Sequence, residues 1–323
     1  MTAQPLDRSS RVYVAGRSGL AGSAIARALG AAGFADVVGA RSSEVDLRDR
    51  AATFRHLREI RPDVLVLAAA RVGGIVANDT MPAEFLSDNL RIQVNVMDAA
   101  HAVGVRRLLF LGSSCIYPRL APQPIAESSL LTGPLEPTND AYAIAKIAGI
   151  LQVQAHRRQY GARWISAMPT NLYGPGDNFH PEHSHVLPAL IRRFHEAVEA
   201  GSERVVLWGS GTPRREFLHV DDLGRAVVHL LEVYDDPGPI NVGVGRDVTI
   251  RELAETVADV VGFRGVIEQD PSRPDGTPRK LLDVSRIRAT GWSAQVELRD
   301  GIESTYRWYV RNRAVARIGL SMR

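Results

Sequence analysis

Arg11-Val-Tyr-Val-Ala-Gly16-Arg-Ser-Gly19-Leu-Ala-Gly22, continuing into Ser23-Ala-Ile-Ala-Arg-Ala-Leu29, decides the fold of this chain. The first five residues are a short β-branched, apolar run, which suits a buried strand. The last seven are good helix formers. Three glycines at Gly-x-x-Gly-x-x-Gly spacing join the two. Strand, glycine turn and helix form a unit in which a pyrophosphate can approach the backbone at a helix N-terminus. The spacing differs from Gly-x-Gly-x-x-Gly, and an ordinary βα turn is the alternative reading.

Moving outward, Asp36–Ala40 reads as the second strand, followed by Arg41-Ser-Ser43. A site built for NAD(H) offers an acid there for the ribose 2′-hydroxyl, whereas a guanidinium suits a 2′-phosphate. NADP(H) is therefore expected, with Arg41 as its marker. Asp46 is expected near the adenine. Val64–Ala70 and Leu108–Gly112 are continuous apolar runs, as in buried parallel strands. Glu84–Gly104 and Ala141–Arg158 read as long helices, and Trp164–Met168 as a further strand ended by Pro169. This alternation predicts an α/β fold with a doubly wound parallel Rossmann sheet.

After Asn171 the pattern breaks at Gly174-Pro-Gly176. A His-rich loop, a helix near 187–200 and a strand at Val205–Trp208 follow. Phe217–Val220, a helix over Asp221–Val233 and the strand Ile240–Gly243 look like a return to the first unit. Thr249–Val261 reads as a helix with Thr249 as its N-cap. The expected division is 1–172 plus about 215–245 for the cofactor, with 173–214 plus about 246–323 as a smaller α/β substrate domain.

Composition fits a soluble enzyme. The chain has 323 residues, 45% of them hydrophobic, which suffices for two domains or one large one. The net charge of +3 is small and dispersed, with no basic run pointing to nucleic acid. One Cys excludes an internal disulfide. No run of ~18 apolar residues and no signal-peptide pattern is present, so a cytoplasmic protein without a membrane partner is expected.

Tyr142 and Lys146 lie four residues apart, on one face of a helix. A cation beside a phenol lowers its pKa, which suits proton transfer during reversible carbonyl reduction. A surface pair is the commoner reading of that spacing alone. Gly112-Ser-Ser-Cys-Ile-Tyr-Pro118 follows the fourth strand, where ligands of open α/β sheets bind. Its hydroxyls can hold a carbonyl and Cys115 lies among them, although a free Cys is more often buried and inert. His180, His183 and His185 are close in sequence, yet no Cys or acid pair completes a tetrahedral set, so no metal is expected.

The glycine turn, Ser113 and Tyr142-x-x-x-Lys146 resemble the extended short-chain dehydrogenase/reductases. Longer phrases resemble the GDP-L-fucose synthase family within them: Ala69–Ile75, Gly112–Pro118, Ala141–Ile147, Pro169–Gly174, Ser184–Val186, Trp208–Pro213, Arg215–Val220 and Asp275–Lys280. The resemblance spans about residues 10–310. It implies epimerisation at C3 and C5 of GDP-4-keto-6-deoxy-D-mannose, then reduction at C4 by NADPH.

The resemblance also assigns residues. Ser113 and Tyr142 would bond the C4 oxygen, with Lys146 reaching the nicotinamide ribose. Cys115 would be the base and His185 the acid, with the direction open. The cofactor would meet Gly16, Arg17, Ser18, Gly19, Leu20, Ala21 and Gly22 in the turn, and Arg41 beyond it. Further along it would meet Leu111, Gly112, Ser113 and Ser114, then Tyr142 and Lys146, then Pro169, Asn171, Leu172 and His185. The sugar nucleotide would meet Ser114, Cys115 and Asn171, with Arg193, Arg215 and Lys280 for its diphosphate. Trp208 would lie against the guanine and Asp275 would bond a hydroxyl. Arg214 reads as a surface charge.

Rival readings are a 4-epimerase or dehydratase that recycles NAD, and a non-catalytic NADP sensor. Dehydratases of this fold carry an Asp-Glu pair where Ser114-Cys115 stands, and sensors often lose the Tyr or Lys that this chain keeps. A homodimer through the helices at 84–104 and 141–158 is expected from the same resemblance.

Overall fold

The structure is a computed structural model that describes residues 6–181, 183–270, 272 and 277–313. In chain order it begins with β1 (Val12–Ala15), α1 (Leu20–Ala31), β2 (Val37–Val38), α2 (Arg50–Ile60) and β3 (Val64–Leu67). Then come α3 (Ile75–Thr80), α4 (Pro82–Ala102), β4 (Arg107–Leu111), α5 (Asp140–Tyr160), β5 (Arg163–Pro169) and β6 (Asn171–Tyr173). The middle of the chain gives α6 (Val186–Glu199), β7 (Arg204–Trp208), β8 (Arg214–Arg215), β9 (Phe217–His219), α7 (Val220–Val233) and β10 (Ile240–Val242). The last elements are β11 (Val248–Thr249), α8 (Ile250–Val261), β12 (Val266–Asp270), β13 (Arg279–Lys280), α9 (Ser285–Ala289) and α10 (Leu298–Arg311).

Six strands form one parallel sheet in the order β10-β5-β4-β3-β1-β2. Parallel strands need covering on both faces. Helices α1 and α7 pack together in one layer, and α2, α4 and α5 form a row in the other. The fold is thus the doubly wound Rossmann-like sheet that the alternation predicts. The chain leaves β1 toward β2 and then crosses back to β3. The β1–β3 boundary is therefore the point where winding reverses and where such sheets bind ligands.

Strand ends differ from the sequence reading for local reasons. β2 is only two residues long, and Gly39 just after it lies so close to the glycine turn that a Cβ there would stand 2.7 Å from both the Val14 carbonyl oxygen and Arg17 Cβ. β3 stops at Leu67 because Ala69 turns under Gly16, where an added Cβ would come within 2.8 Å of its backbone. Pro82 opens α4 without loss of a needed N–H. Gly161, with φ of 67°, closes α5 in the left-handed conformation. Thr249 is the N-cap of α8, in a reciprocal capping box with Glu252. α2, α9, α10 and several two- or three-residue strands carry no clear sequence signal.

A second apolar cluster, centred on Phe179, Leu190, Phe194, Leu253, Val257 and Tyr309, joins α6, α8 and α10. Beside it β7 pairs with β12, and β8 lies between β11 and β13. β9 pairs with β6, and β10 extends the large sheet, so residues between them return to the first unit. Among the described residues no helix is long and apolar enough to cross a membrane.

Candidate active site

The glycine turn forms the floor of the site. Gly16 has φ of 84°, and a Cβ on Gly22 would stand 2.1 Å from the Gly16 carbonyl oxygen. Neither position admits a side chain. Gly19 is the N-cap of α1 and no side chain caps that end. The first amides of a helix have no partner within it, and they carry the positive end of its dipole. Arg17 and Ser18 are exposed above the turn. This cradle fits a dinucleotide pyrophosphate. Beyond β2, Arg41 is exposed. Asp46 instead closes a local ion pair with Arg48 at 2.9 Å.

At the end of β4, Ser113 caps a short 3-10 turn over Ser114–Ile116 by accepting from the Cys115 amide at 3.2 Å. That turn faces the first half of α5. Tyr142 stands beside Ser113, whose hydroxyl acts to lower the phenol's pKa. Lys146, 3% exposed, donates from Nζ to the Leu111 carbonyl at 2.9 Å. Ser113, Cys115, Tyr142 and Lys146 therefore meet at the carboxyl end of the sheet.

One expectation is corrected here. Tyr142 is not activated by Lys146; its pKa is raised, mainly by burial and then by the neighbouring Cys115, with Ser113 acting against both. The Lys146 ammonium lies 5.8 Å from the Tyr142 ring centre and is turned toward Leu111. Burial also pulls Lys146 down to about 7. Tyr142 is thus held as a phenol, a proton donor.

Cys115 behaves in the opposite way. Burial pushes its thiol up, but the Lys280 charge and hydrogen bonds from Ser113, Lys280 and Asn139 outweigh that and leave its pKa lowered. Asn139 Nδ2 lies 3.4 Å and Lys280 Nζ 3.5 Å from the sulfur. Asn139 is a site neighbour that sequence reasoning missed. Its signal was position: it ends the turn Pro137–Asn139, three residues before Tyr142.

His185 is the N-cap of α6. The residue is exposed at the surface, and desolvation of its ring by the surrounding chain lowers its pKa. The preceding loop folds over Gly74, whose amide donates to the His183 carbonyl at 3.3 Å. The adjoining α3 packs on the turn that holds Asn139, which links the histidine loop through α3 to the turn beside the thiol. His180 and His183 stack on each other, and no metal-binding cluster occurs among the described residues.

The remaining predicted residues lie on later elements of the chain. Pro169 ends β5, and Asn171 donates to the Glu216 carbonyl at 2.8 Å, with Leu172 beside it in β6. Arg193 donates to the Val206 carbonyl, two residues before Trp208, which is 59% exposed at the end of β7. Arg215 lies opposite Lys280 in the β8–β13 pair. Arg214 is bound to Asp247 at 2.9 Å, as a structural charge. Asp275 lies outside the described residues.

Residues 12–243 match the NAD dependent epimerase/dehydratase family. GDP-L-fucose synthase 1 of Arabidopsis thaliana is 57% identical over 306 residues, covering 95% of both chains. GDP-L-fucose synthase of Escherichia coli K12 is 54% identical, covering 94% of this chain and 97% of its own. The solved structure of a GDP-L-fucose synthetase from Naegleria fowleri bound to NADP has a TM-score of 0.90 at 27% identity, covering 98% of each chain. With a dinucleotide cradle, a Ser-Tyr-Lys carbonyl set and near-full-length likeness of this kind, the chain belongs to the NAD dependent epimerase/dehydratase family and, within it, to the GDP-L-fucose synthases.

Proposed function

We propose that this chain converts GDP-4-keto-6-deoxy-D-mannose to GDP-L-fucose, by epimerisation at C3 and C5 and then NADPH-dependent reduction at C4. The observation that carries the reading is the Cys115 sulfur beside Ser113 and Tyr142, with Asn139 Nδ2 at 3.4 Å and Lys280 Nζ at 3.5 Å from it. A plain reductase has no use for a poised base there, and a dehydratase needs acids at that turn.

The amides at the start of α1 would hold the pyrophosphate, Arg41 the 2′-phosphate and Lys146 the nicotinamide ribose; further contacts fall to Leu111, Gly112, Ser114, Pro169 and Leu172. When bound, NADPH supplies the hydride for C4. Ser113 and Tyr142 donate to the C4 oxygen, which acidifies the protons on C3 and C5 by stabilising an enolate. The Cys115 thiolate takes a proton from carbon, becoming S–H as the electron pair moves into the enolate. His185 returns a proton to the opposite face. In the reduction Tyr142, kept protonated by its burial, delivers the proton to oxygen. Guanidinium forks at Arg193 and Arg215 suit the diphosphate. Trp208, 59% exposed, is assigned to the guanine, and Asp275 to a hydroxyl.

The two apolar clusters fit a cofactor unit of 1–172 plus about 215–245 and a substrate unit of 173–214 plus about 246–323, except that Leu282, Val284, Ile287 and Trp292 pack into the first cluster and Phe217 into the second. Val94 on α4, with Ile144 and Leu151 on α5, exposes apolar surface on two helices that pack together, which supports a homodimer through a four-helix interface. A single free thiol suits a reducing cytoplasmic setting.

The test follows NADPH oxidation with this substrate and analyses the product. Wild type should yield GDP-L-fucose. Cys115→Ser should lose inversion, and Tyr142→Phe should lose about 10²- to 10⁴-fold of reduction, the usual worth of a positioned acid. Reduction without inversion in the wild type would make it a 4-ketoreductase and overturn the reading.

A further inference from the structure

Cys115 is held between two donors that come from distant parts of the chain. Asn139 Nδ2 approaches the sulfur at 3.4 Å from the turn before α5, and Lys280 Nζ approaches at 3.5 Å from β13. The resemblance placed Lys280 with the substrate diphosphate; its ammonium instead reaches the thiol. We infer that Lys280 is a positioning residue for the epimerisation, an ammonium that keeps Cys115 as a thiolate, with Asn139 fixing the direction of the sulfur lone pairs. This inference rests on the epimerase reading above and deepens it.

The placement of Lys280 is built into the fold. The segment that follows it is stitched to the loop before α5 on both sides: Leu281 N donates to Gln123 Oε1 at 2.9 Å, Ile125 N to Leu281 O at 2.7 Å, and Asp283 N to Ile125 O at 2.9 Å. The fully buried Glu216 carboxylate accepts from Leu282 N at 3.1 Å and from Gly245 N at 2.6 Å. These bonds hold the backbone under Lys280, so its ammonium meets the sulfur by design of the surrounding chain rather than by free rotation of an exposed side chain.

Lys280 and Tyr142 are the charged and titratable groups facing the sulfur, while Ser113 and Asn139 face it as neutral hydrogen-bond partners. An opposite charge at this range favours the ionised form of its partner, by about one to three pKa units. A thiolate that is too stable is a weak base, and catalysis is best when the pKa lies near the working pH. One ammonium against a buried sulfur balances these demands: burial opposes ionisation and the charge restores it. After proton uptake the S–H is neutral; it loses that proton to solvent, and His185 regains one, before Cys115 acts as base at the second carbon, and the ammonium favours that loss.

The experiment titrates the thiol in the full chain without sugar nucleotide. Cys115 is the chain's one cysteine, so alkylation by iodoacetamide reports on it alone. The midpoint of alkylation rate against pH should rise by at least about one unit in Lys280→Met and stay near wild type in Lys280→Arg. The acid limb of solvent-deuterium incorporation into the sugar should move with it. Circular dichroism checks that the variants fold, and Asn139→Asp supplies a second arm, since an added carboxylate should also raise the midpoint. An unmoved midpoint in Lys280→Met, with only a raised KM for the sugar nucleotide, would assign Lys280 to the diphosphate and overturn the inference. A shifted midpoint in an enzyme that does not invert the sugar would leave the ammonium–thiolate pair standing and remove the epimerase reading instead.

Discussion

At the scale of single residues, the same burial has opposite consequences according to what stands beside it. Tyr142 and Cys115 share one pocket, yet the phenol is held protonated while the thiol is eased toward its anion. The sequence placed both residues correctly in the chain but misjudged the partner. Tyr142 and Lys146 are four apart, and proximity suggested a cation acting on the phenol. Lys146 turns to the Leu111 carbonyl instead, and the cation that matters to an anion arrives from Lys280, which no local spacing connects to Cys115. Asp177 gives a test of the same physics. It is 6% exposed, one carboxylate oxygen has no partner, and burial pushes its pKa up from 3.8 to about 7. The folded chain therefore keeps this proton over a range where the unfolded chain has released it. Stability falls as pH climbs from about 4 to about 7, and is flat beyond. Asp177→Asn should raise the Tm relative to wild type at about pH 8 and leave it unchanged near pH 4. Thermal melts across pH check this, and parallel curves for the two proteins would remove Asp177 as the source of the slope.

At the scale of elements, the glycine turn was the most legible part of the molecule. Its reason is steric and local: Gly16 bends with positive φ under the β3 end, and Gly22 packs on the Gly16 carbonyl. Sequence alone carries such constraints because they involve neighbours a few residues apart. The capping box at Thr249 was legible for the same reason. The strands β8, β11 and β13 were not, since two-residue strands lack a period and owe their existence to pairing with remote segments. The Gly22→Ala variant tests the turn. A methyl placed 2.1 Å from a backbone oxygen must open it, at a cost of about 1–3 kcal/mol. The expected result is a lower Tm together with at least a tenfold weaker NADPH titration by fluorescence. Wild-type values in both would show that the turn accommodates a side chain.

At the scale of the whole molecule, the doubly wound sheet followed from simple alternation, and the interleaving of the chain followed from the return of residues 217–242 to the first unit. What the sequence left dark was the surroundings of the thiol, because Lys280 and Asn139 are brought together only by the completed fold. The proposed dimer belongs to this scale as well. Leu151 is 45% exposed on α5 beside the apolar surface of α4. Leu151→Glu would bury a charge in a four-helix interface, and sedimentation should then find monomers where the wild type sediments as a dimer. A monomeric wild type would end that proposal.

The sheet order also bears on how the protein is made. β10 completes the sheet beside β5, but it leaves the ribosome about 70 residues after β5 has emerged. At typical synthesis rates the nascent chain waits roughly 4 to 14 s with the apolar strand Trp164–Met168 unpaired along one side. An open, hydrophobic strand edge invites pairing with other chains. Newborn copies of this protein are thus exposed to misassembly during a defined interval of translation, and slow codons between Pro169 and Ile240 would lengthen it, making the yield of folded protein depend on how quickly that stretch is read.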